Sequence, residues 1–261
     1  MNDAPLHALS VADGFSIPTP NRRGRTTAVL NEINEAFARY AAQCTRPVLD
    51  IGCAYGVATI AALASGAEVI ANDIDSGMLT KLQEQIPPDA RHRLTVQLGS
   101  FPHQIDFLPS SLDAVHASNL FNFLRGEDLD IGLRKIYRWL APGGRLFAIS
   151  GTPWAANVRR FIPEFEARRA SGLRWPGECE SLQDYADGPT AAELPAFLHL
   201  LDDVSLARAL REAGFDIEVV ECFHRRHTPS YIALDGRENV RVIAGKEISS
   251  TKGPMEHAPV A

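Results

Sequence analysis

The chain has 261 residues, of which 45% are hydrophobic, enough to build one large domain around its own core. Its formal charge of -6 does not favour nucleic acid or an anionic membrane surface as a partner. The four cysteines lack the CxxC spacing of zinc sites, and no apolar run reaches membrane-spanning length. The N-terminus carries acid where a signal peptide needs base. We therefore expect a reduced, cytoplasmic protein without a metal site.

The first 25 residues contain three prolines and two glycines, which predicts an irregular lead-in. From Thr26 onward, Val29, Ile33, Phe37 and Tyr40 recur at spacings of three or four residues. This period places them on one face of a helix, which we expect to pack on the sheet that follows.

Short apolar runs then alternate with helical or long connecting segments, a pattern typical of a parallel sheet covered on both faces. The predicted strands are 48–51, 68–72, 94–98, 113–117, 145–150, 215–222 and 240–245, with helices at 127–140 and 204–213. The fold class is therefore α/β, a doubly wound and mostly parallel seven-stranded sheet within one domain over residues 1–246. Residues 151–202 interrupt the pattern with five prolines and predict an inserted lid after the fifth strand, since long insertions are usually functional. Residues 247–261 predict a disordered tail.

The stretch VLDIGCAYGVAT at 48–59 places an acid at the end of a strand and two glycines in the turn that follows. A phosphate-binding P-loop needs a lysine after its last glycine, and none follows Gly56 before Lys81. The dinucleotide fingerprint needs glycines where Ala54 and Val57 stand. The turn instead suits a ligand carboxylate near backbone N–H groups and a cationic centre near Asp50.

Asp73 ends the second predicted strand, 21 residues beyond Gly52. A carboxylate at a strand end has two oxygens that can accept both hydroxyls of a ribose. The sequence therefore predicts a ligand that contains a ribose without a pyrophosphate.

With these pieces in order, the chain resembles the class I S-adenosylmethionine-dependent methyltransferases. The resemblance runs from about residue 26 to 246, and it rests on VLDIGCAYG at 48–56, ANDIDSGML at 71–79, LGSF at 98–101, LDAVHASNLFNFL at 112–124, LAPGGRLFAISGTP at 140–153 and LREAGFDIEVVE at 210–221. It implies S-adenosylmethionine as cofactor and an antiparallel last strand in the sheet.

The resemblance also implies a role for each matching residue. The methionine end of the cofactor would contact Asp50, Gly52, Cys53 and Gly56. Asp73 would bind the ribose hydroxyls. The adenine would lie against Ile74, Ser100 and Phe101, and the sulfonium near Asn119 and Leu120. Two positions depart from the family pattern: Ala54 replaces its middle glycine, and Ser100 replaces the usual acid beside the adenine.

The insertion supplies the candidate residues for substrate. Trp154, Trp175 and Tyr185 are candidates for an aromatic pocket wall, or alternatively for the insertion's own core. Arg159 and Arg160 are candidates for binding an anionic group, or alternatively for a solvated face. His199 is a candidate general base. His116 lies within a strand and is interpreted as a hydrogen-bonded core residue.

The predicted activity is methyl transfer to an oxygen, nitrogen or carbon atom of a small-molecule metabolite, one that is planar or anionic. The alternatives are a nucleic-acid or protein methyltransferase and a non-catalytic protein that binds S-adenosylmethionine or a metabolite. The sequence leaves the substrate, the accepting atom and the oligomeric state open.

Overall fold

The structure is a computed structural model that describes residues 16–18, 25–27, 29–189 and 191–248. In chain order its strands are β1 (Ser16–Pro18), β2 (Arg25–Thr27), β3 (Val48–Ile51), β4 (Val69–Asp73), β5 (Leu94–Leu98), β6 (Leu112–Ser118), β7 (Leu140–Gly151), β8 (Glu178–Cys179), β9 (Leu198–His199), β10 (Asp216–Phe223) and β11 (Asn239–Gly245). Its helices are α1 (Glu32–Ala41), α2 (Val57–Ala64), α3 (Ser76–Gln85), α4 (Gly126–Trp139), α5 (Ile162–Ala170) and α6 (Asp203–Glu212).

Seven strands form one sheet in the order β10-β11-β7-β6-β3-β4-β5. The five strands from β7 to β5 in this order are parallel, whereas β11 runs antiparallel to both of its neighbours, β7 and β10. The predicted α/β class, the number of strands and the antiparallel last strand are confirmed. Because the parallel strands all end at one edge, the polar residues at their C-terminal ends gather there.

Both faces of the sheet are buried, as the continuous apolar runs of its central strands require. The core on one face combines the apolar sides of α1, α2 and α3, with Phe37 and Leu82 fully buried. The core on the other face combines α4 and α6, with Trp139 and Leu210 fully buried. A third cluster lies inside the 151–202 segment.

The first helix begins later than the sequence pattern predicts. It starts at Glu32 because the side chain of Asn31 accepts hydrogen bonds from the backbone N–H groups of Ile33 and Asn34, which caps the helix. Upstream, β2 pairs antiparallel with β1, so two short strands occur where the prediction had an irregular lead-in and the start of the helix. The other residues of that lead-in, and the predicted tail from residue 249, lie outside the described residues.

The 151–202 segment is anchored on the N-terminal end of α4. The carboxylate of Glu178 accepts the backbone N–H of Gly126 at 2.6 Å, and Arg125 forms a two-fold contact with Glu180. The ring of Trp175 lies so close to Gly126 that a Cβ added there would stand 1.9 Å from it. Three contacts therefore hold the segment against the N-terminal end of α4: the hydrogen bond of Glu178, the ion pair of Glu180 and the packing of Trp175.

Candidate functional site

The turn between β3 and α2 forms the floor of the site. Gly52 and Gly56 have φ angles of +66° and +78°, a region that favours glycine. A Cβ on Gly56 would lie 2.2 Å from a methyl group of the Leu82 side chain, and one on Gly52 would lie 3.1 Å from Leu120. Cys53, buried in the turn, donates its N–H to the Asn72 carbonyl at 2.9 Å. The turn therefore runs against packed neighbours and joins the ends of β3 and β4.

The N-terminus of α2 follows directly and has no side-chain cap, because its capping residue is Gly56. The first N–H groups of a helix have no partner within the helix, and together with the helix dipole they favour an anionic group. This end of α2 suits the carboxylate of an amino-acid moiety.

Asp73, at the end of β4, faces the same turn. One of its carboxylate oxygens accepts the N–H of Ala54 at 2.9 Å, and the other accepts the N–H of Asp75 at 3.0 Å. Burial raises the pKa of this carboxyl, although both N–H groups favour its ionised form. Each oxygen retains a further acceptor position, so the chemistry of Asp73 fits two ribose hydroxyls.

Asp50 lies deeper than the sequence suggests. Its carboxylate accepts hydrogen bonds from the ring of His116 at 2.7 Å and from the hydroxyl of Thr59 at 2.6 Å. It also lines a cavity of about 20 Å³ beside Gly52, where the hydroxyl oxygen of Ser118 is buried without a partner among the described residues. A cavity of this size holds about one water molecule.

The loop after β6 completes the floor. Asn119 has a φ of +56°, and its N–H donates to the Ile149 carbonyl at 2.7 Å, while Leu120 lies over Gly52. The amide of Asn122 exchanges two hydrogen bonds with the backbone of Gly151, and it donates a third to the His199 carbonyl. Sequence reasoning assigned no role to this residue, because its partners lie on strands that are distant in the chain.

At the far side of the site, two apolar side chains are exposed at the ends of β4 and β5. Ile74 retains 45% of its accessible surface and Leu98 retains 54%, so both present an apolar surface that suits an adenine ring. The N–H of Ser100 donates to the side chain of Gln104 at 3.0 Å.

Phe101 lies elsewhere than its predicted position beside the adenine. Its ring is 6% exposed, packs edge-on against Trp139 at 6.1 Å, and would collide with a Cβ on Gly132. The ring therefore belongs to the core beneath α4 and offers little surface to a ligand.

The aromatic residues predicted for the substrate pocket also pack inward. Trp154 and Tyr185 form edge-on ring pairs within the insertion, with Phe165 at 5.3 Å and Phe161 at 5.2 Å respectively. Trp175 is buried against Gly126. Trp154 and Tyr185 therefore match the alternative interpretation, in which the rings form the insertion's own core, whereas Trp175 belongs to the core beneath α4.

The two arginines differ from each other. Arg160 donates to the Ala186 carbonyl at 3.0 Å and lies 3.3 Å from a carboxylate oxygen of Asp187, so it is engaged within the insertion. Arg159 is exposed.

His199 has no exposed surface. One ring nitrogen is 3.0 Å from the Leu124 carbonyl, the ring packs edge-on against Trp175, and burial lowers its pKa to about 4. A general base must come within hydrogen-bond distance of the proton that it removes. The predicted catalytic role is therefore wrong for this conformation, because the ring is enclosed by the core.

Other kinds of site find no support within the described ranges. All four cysteines are free there, and no group of histidine, cysteine, aspartate or glutamate side chains is arranged to hold a metal ion. No helix in that part of the chain is long and apolar enough to cross a membrane.

Comparison with known proteins agrees with this geometry. Residues 48–144, which include the turn and Asp73, match the model of a family described as "Methyltransferase domain". No curated protein matches the chain.

Among solved structures, an S-adenosylmethionine-dependent methyltransferase from Mesorhizobium loti is 18% identical with a TM-score of 0.59, and the alignment covers 82% of this chain and 98% of that one. An S-adenosylmethionine-dependent methyltransferase from Methanosarcina mazei is 17% identical with a TM-score of 0.57, over 78% and 93%. The glycopeptide N-methyltransferase MtfA, in complex with S-adenosylhomocysteine, is 19% identical with a TM-score of 0.54, over 81% and 86%. These likenesses concern the fold. Together, the family match over residues 48–144 and the shared fold show a methyltransferase domain with the fold of the S-adenosylmethionine-dependent methyltransferases.

Proposed function

We propose that this methyltransferase transfers the methyl group of S-adenosylmethionine to a nucleophilic oxygen, nitrogen or carbon atom of a small-molecule metabolite. The observation that carries the cofactor assignment is the meeting of Asp73 with the uncapped N-terminus of α2 across one glycine turn. A ribose acceptor and an anion site then lie on the two sides of the same turn.

Each residue of the floor would contact a different part of the cofactor. Asp73 would hold the ribose hydroxyls, Ile74 would cover the adenine, and the turn from Gly52 to Gly56 would receive the amino-acid end. When bound, S-adenosylmethionine supplies an activated methyl group on a cationic sulfur. The chain's own contribution is to align the two reactants and to exclude water, which together account for much of the rate in such transfers.

Two observations support the proposed substrate class: the formal charge of the chain and the position of the 151–202 insertion. The formal charge of -6 does not favour nucleic acid, and the 151–202 segment is docked beside the loop after β6 through Asn122. MtfA, which shares the fold, is described as acting on a glycopeptide. Arg159 remains our candidate for an anionic group on the substrate. We propose no general base, and we propose a cytoplasmic location with neither nucleic acid nor membrane as partner.

Calorimetry and thermal shift with S-adenosylmethionine, S-adenosylhomocysteine and NAD test the cofactor site. We expect binding of the first two and none of NAD. Stronger binding of NAD, or no binding of the first two, would contradict the proposal.

Asp73→Asn tests the ribose assignment, with Asp89→Asn as an exposed control on the loop before β5. We expect at least a tenfold loss of S-adenosylhomocysteine affinity in the first variant and none in the second, since a ribose hydroxyl would lose its charged acceptor. Equal affinities in the two variants would remove the assignment.

A screen for methyl transfer with labelled S-adenosylmethionine separates the substrate classes. Metabolites, peptides and nucleic acids form its three arms. Transfer to a metabolite supports the proposal. Transfer only to a macromolecule would overturn it, and tight cofactor binding without transfer in any arm would indicate a binding protein.

A further inference from the structure

A row of four buried polar side chains lies beneath the glycine turn. The amide of Asn34 is 3.2 Å from Nε2 of His116, Nδ1 of His116 is 2.7 Å from Asp50, and the Thr59 hydroxyl donates to the other oxygen of Asp50 at 2.6 Å. All four residues are at most 2% exposed. The row joins α1, β6, β3 and α2, and its third member lines the cavity beside Gly52.

The direction of the hydrogen bonds in this row follows from the cap of α1. The side-chain oxygen of Asn34 accepts the N–H of Asn31 at 3.0 Å, so its amide nitrogen faces His116. The opposite orientation would place an NH₂ group against an N–H donor. Since an amide nitrogen only donates, Nε2 of His116 accepts, and the single ring proton lies on Nδ1, which donates to Asp50.

This arrangement leaves a net charge under the turn. A neutral imidazole orients Asp50 without cancelling its negative charge, and each carboxylate oxygen receives one donor while keeping a further acceptor position. The residues that line the cavity include neither lysine nor arginine. A buried anion without a cation is costly, so a ligand cation that reaches this position binds favourably.

The geometry points to His116 as a positioning residue for the cofactor: held as the neutral Nδ1–H form by Asn34, it fixes Asp50 as an anion that attracts the ammonium group at the cofactor's methionine end. This inference rests on the proposed function. The competing explanation is purely structural, because His116 also stacks on Phe37 with ring centroids 4.9 Å apart.

Asn34→Asp is the most direct test. Its carboxylate still accepts the Asn31 N–H, but it replaces the donor at Nε2 with an acceptor, so His116 takes a second proton and lies between two carboxylates. The net charge of the row is unchanged, but Asp50 now has a cationic partner and the excess negative charge moves toward position 34. The affinities of S-adenosylhomocysteine and methylthioadenosine are then compared, since the second compound lacks the amino-acid end. We expect S-adenosylhomocysteine to bind at least tenfold more weakly, about 1.4 kcal/mol, and methylthioadenosine to change less than twofold. Equal losses for both ligands, or no loss for either, would overturn the inference.

A second pair of variants applies even if Asn34→Asp fails to fold. His116→Asn retains a neutral N–H donor close to the position of Nδ1, whereas His116→Leu removes the donor and keeps an apolar side chain. We expect the first variant to keep its S-adenosylhomocysteine affinity within about threefold of wild type, and the second to lose tenfold or more, again without a change for methylthioadenosine. Equal effects of the two variants would indicate a packing role alone.

Nitrogen NMR of the histidine rings gives a readout that does not depend on binding. In the wild-type protein we expect an unprotonated Nε2 and a protonated Nδ1 in His116, and in Asn34→Asp we expect both nitrogens to be protonated. A protonated Nε2 in the wild type would overturn the inference. If the wild type binds neither adenosine compound, the proposed function fails first, and that outcome is distinguishable from loss of the amino-acid end alone.

Discussion

Gly56→Ala perturbs the glycine turn in two separable ways. At a φ of +78°, any residue with a Cβ is strained by about 1–2 kcal/mol. The new Cβ would also lie 2.2 Å from the Leu82 side chain, which is fully buried, and overpacking of this kind costs about 1–3 kcal/mol. We expect the free energy of unfolding to fall by about 2–5 kcal/mol in total.

Gly172→Ala is the matched control. Gly172 has the same φ of +78°, but a Cβ built there meets nothing within 4 Å, so only the backbone cost of about 1–2 kcal/mol remains. Urea unfolding followed by circular dichroism gives both values, and an unchanged m-value shows that the unfolded states are comparable. In a Leu82→Ala background, the cost of Gly56→Ala should fall to that of the control, because the collision is removed. If Gly56→Ala and Gly172→Ala lower the free energy of unfolding equally in the wild-type background, the collision with Leu82 does not contribute.

Two further predictions concern stability. Burial lowers the pKa of His199 to about 4. Between about pH 6.5 and pH 4 the unfolded chain therefore binds a proton at this histidine that the native state does not bind, and the free energy of unfolding falls as the pH is lowered through this range. In His199→Gln this decline should be shallower in urea midpoints measured across that range, and an unchanged slope would contradict the assignment. Glu178→Ala should lower the free energy of unfolding by about 1 kcal/mol through loss of the Gly126 cap. Glu180→Ala, which removes only an exposed ion pair, should cost less, and the reverse order would count against the cap.

The sequence was informative wherever one local feature determines the structure. The end of β4 at Asp73 and the turn from Gly52 to Gly56 follow from apolar runs that stop at an acid or a glycine. The first residue of α1 was harder to predict, because the apolar period continues upstream of Asn31, whereas the capping side chain of Asn31 sets where the helix begins. A period marks the face of a helix better than its first residue.

Contacts between segments that are distant in the chain could not be predicted from the sequence. Asp50 and His116 are 66 residues apart and become neighbours because β3 and β6 pair in the register that sets them side by side. A shift of one residue would turn His116 to the opposite face. The ring of Phe101 turns into the core for a similar reason, since only the approach of Gly132 on α4 provides space for it.

These long-range contacts also explain how α1 contributes to a site whose glycine turn lies between β3 and α2. The loop after β10 is held to α1 by Arg226, whose guanidinium lies 3.1 Å from Glu32 and 2.7 Å from Glu35. In the same turn of the helix, the side chain of Asn34 contacts His116. The same helix therefore ties a loop at the C-terminal edge of the sheet to the carboxylate under the glycine turn.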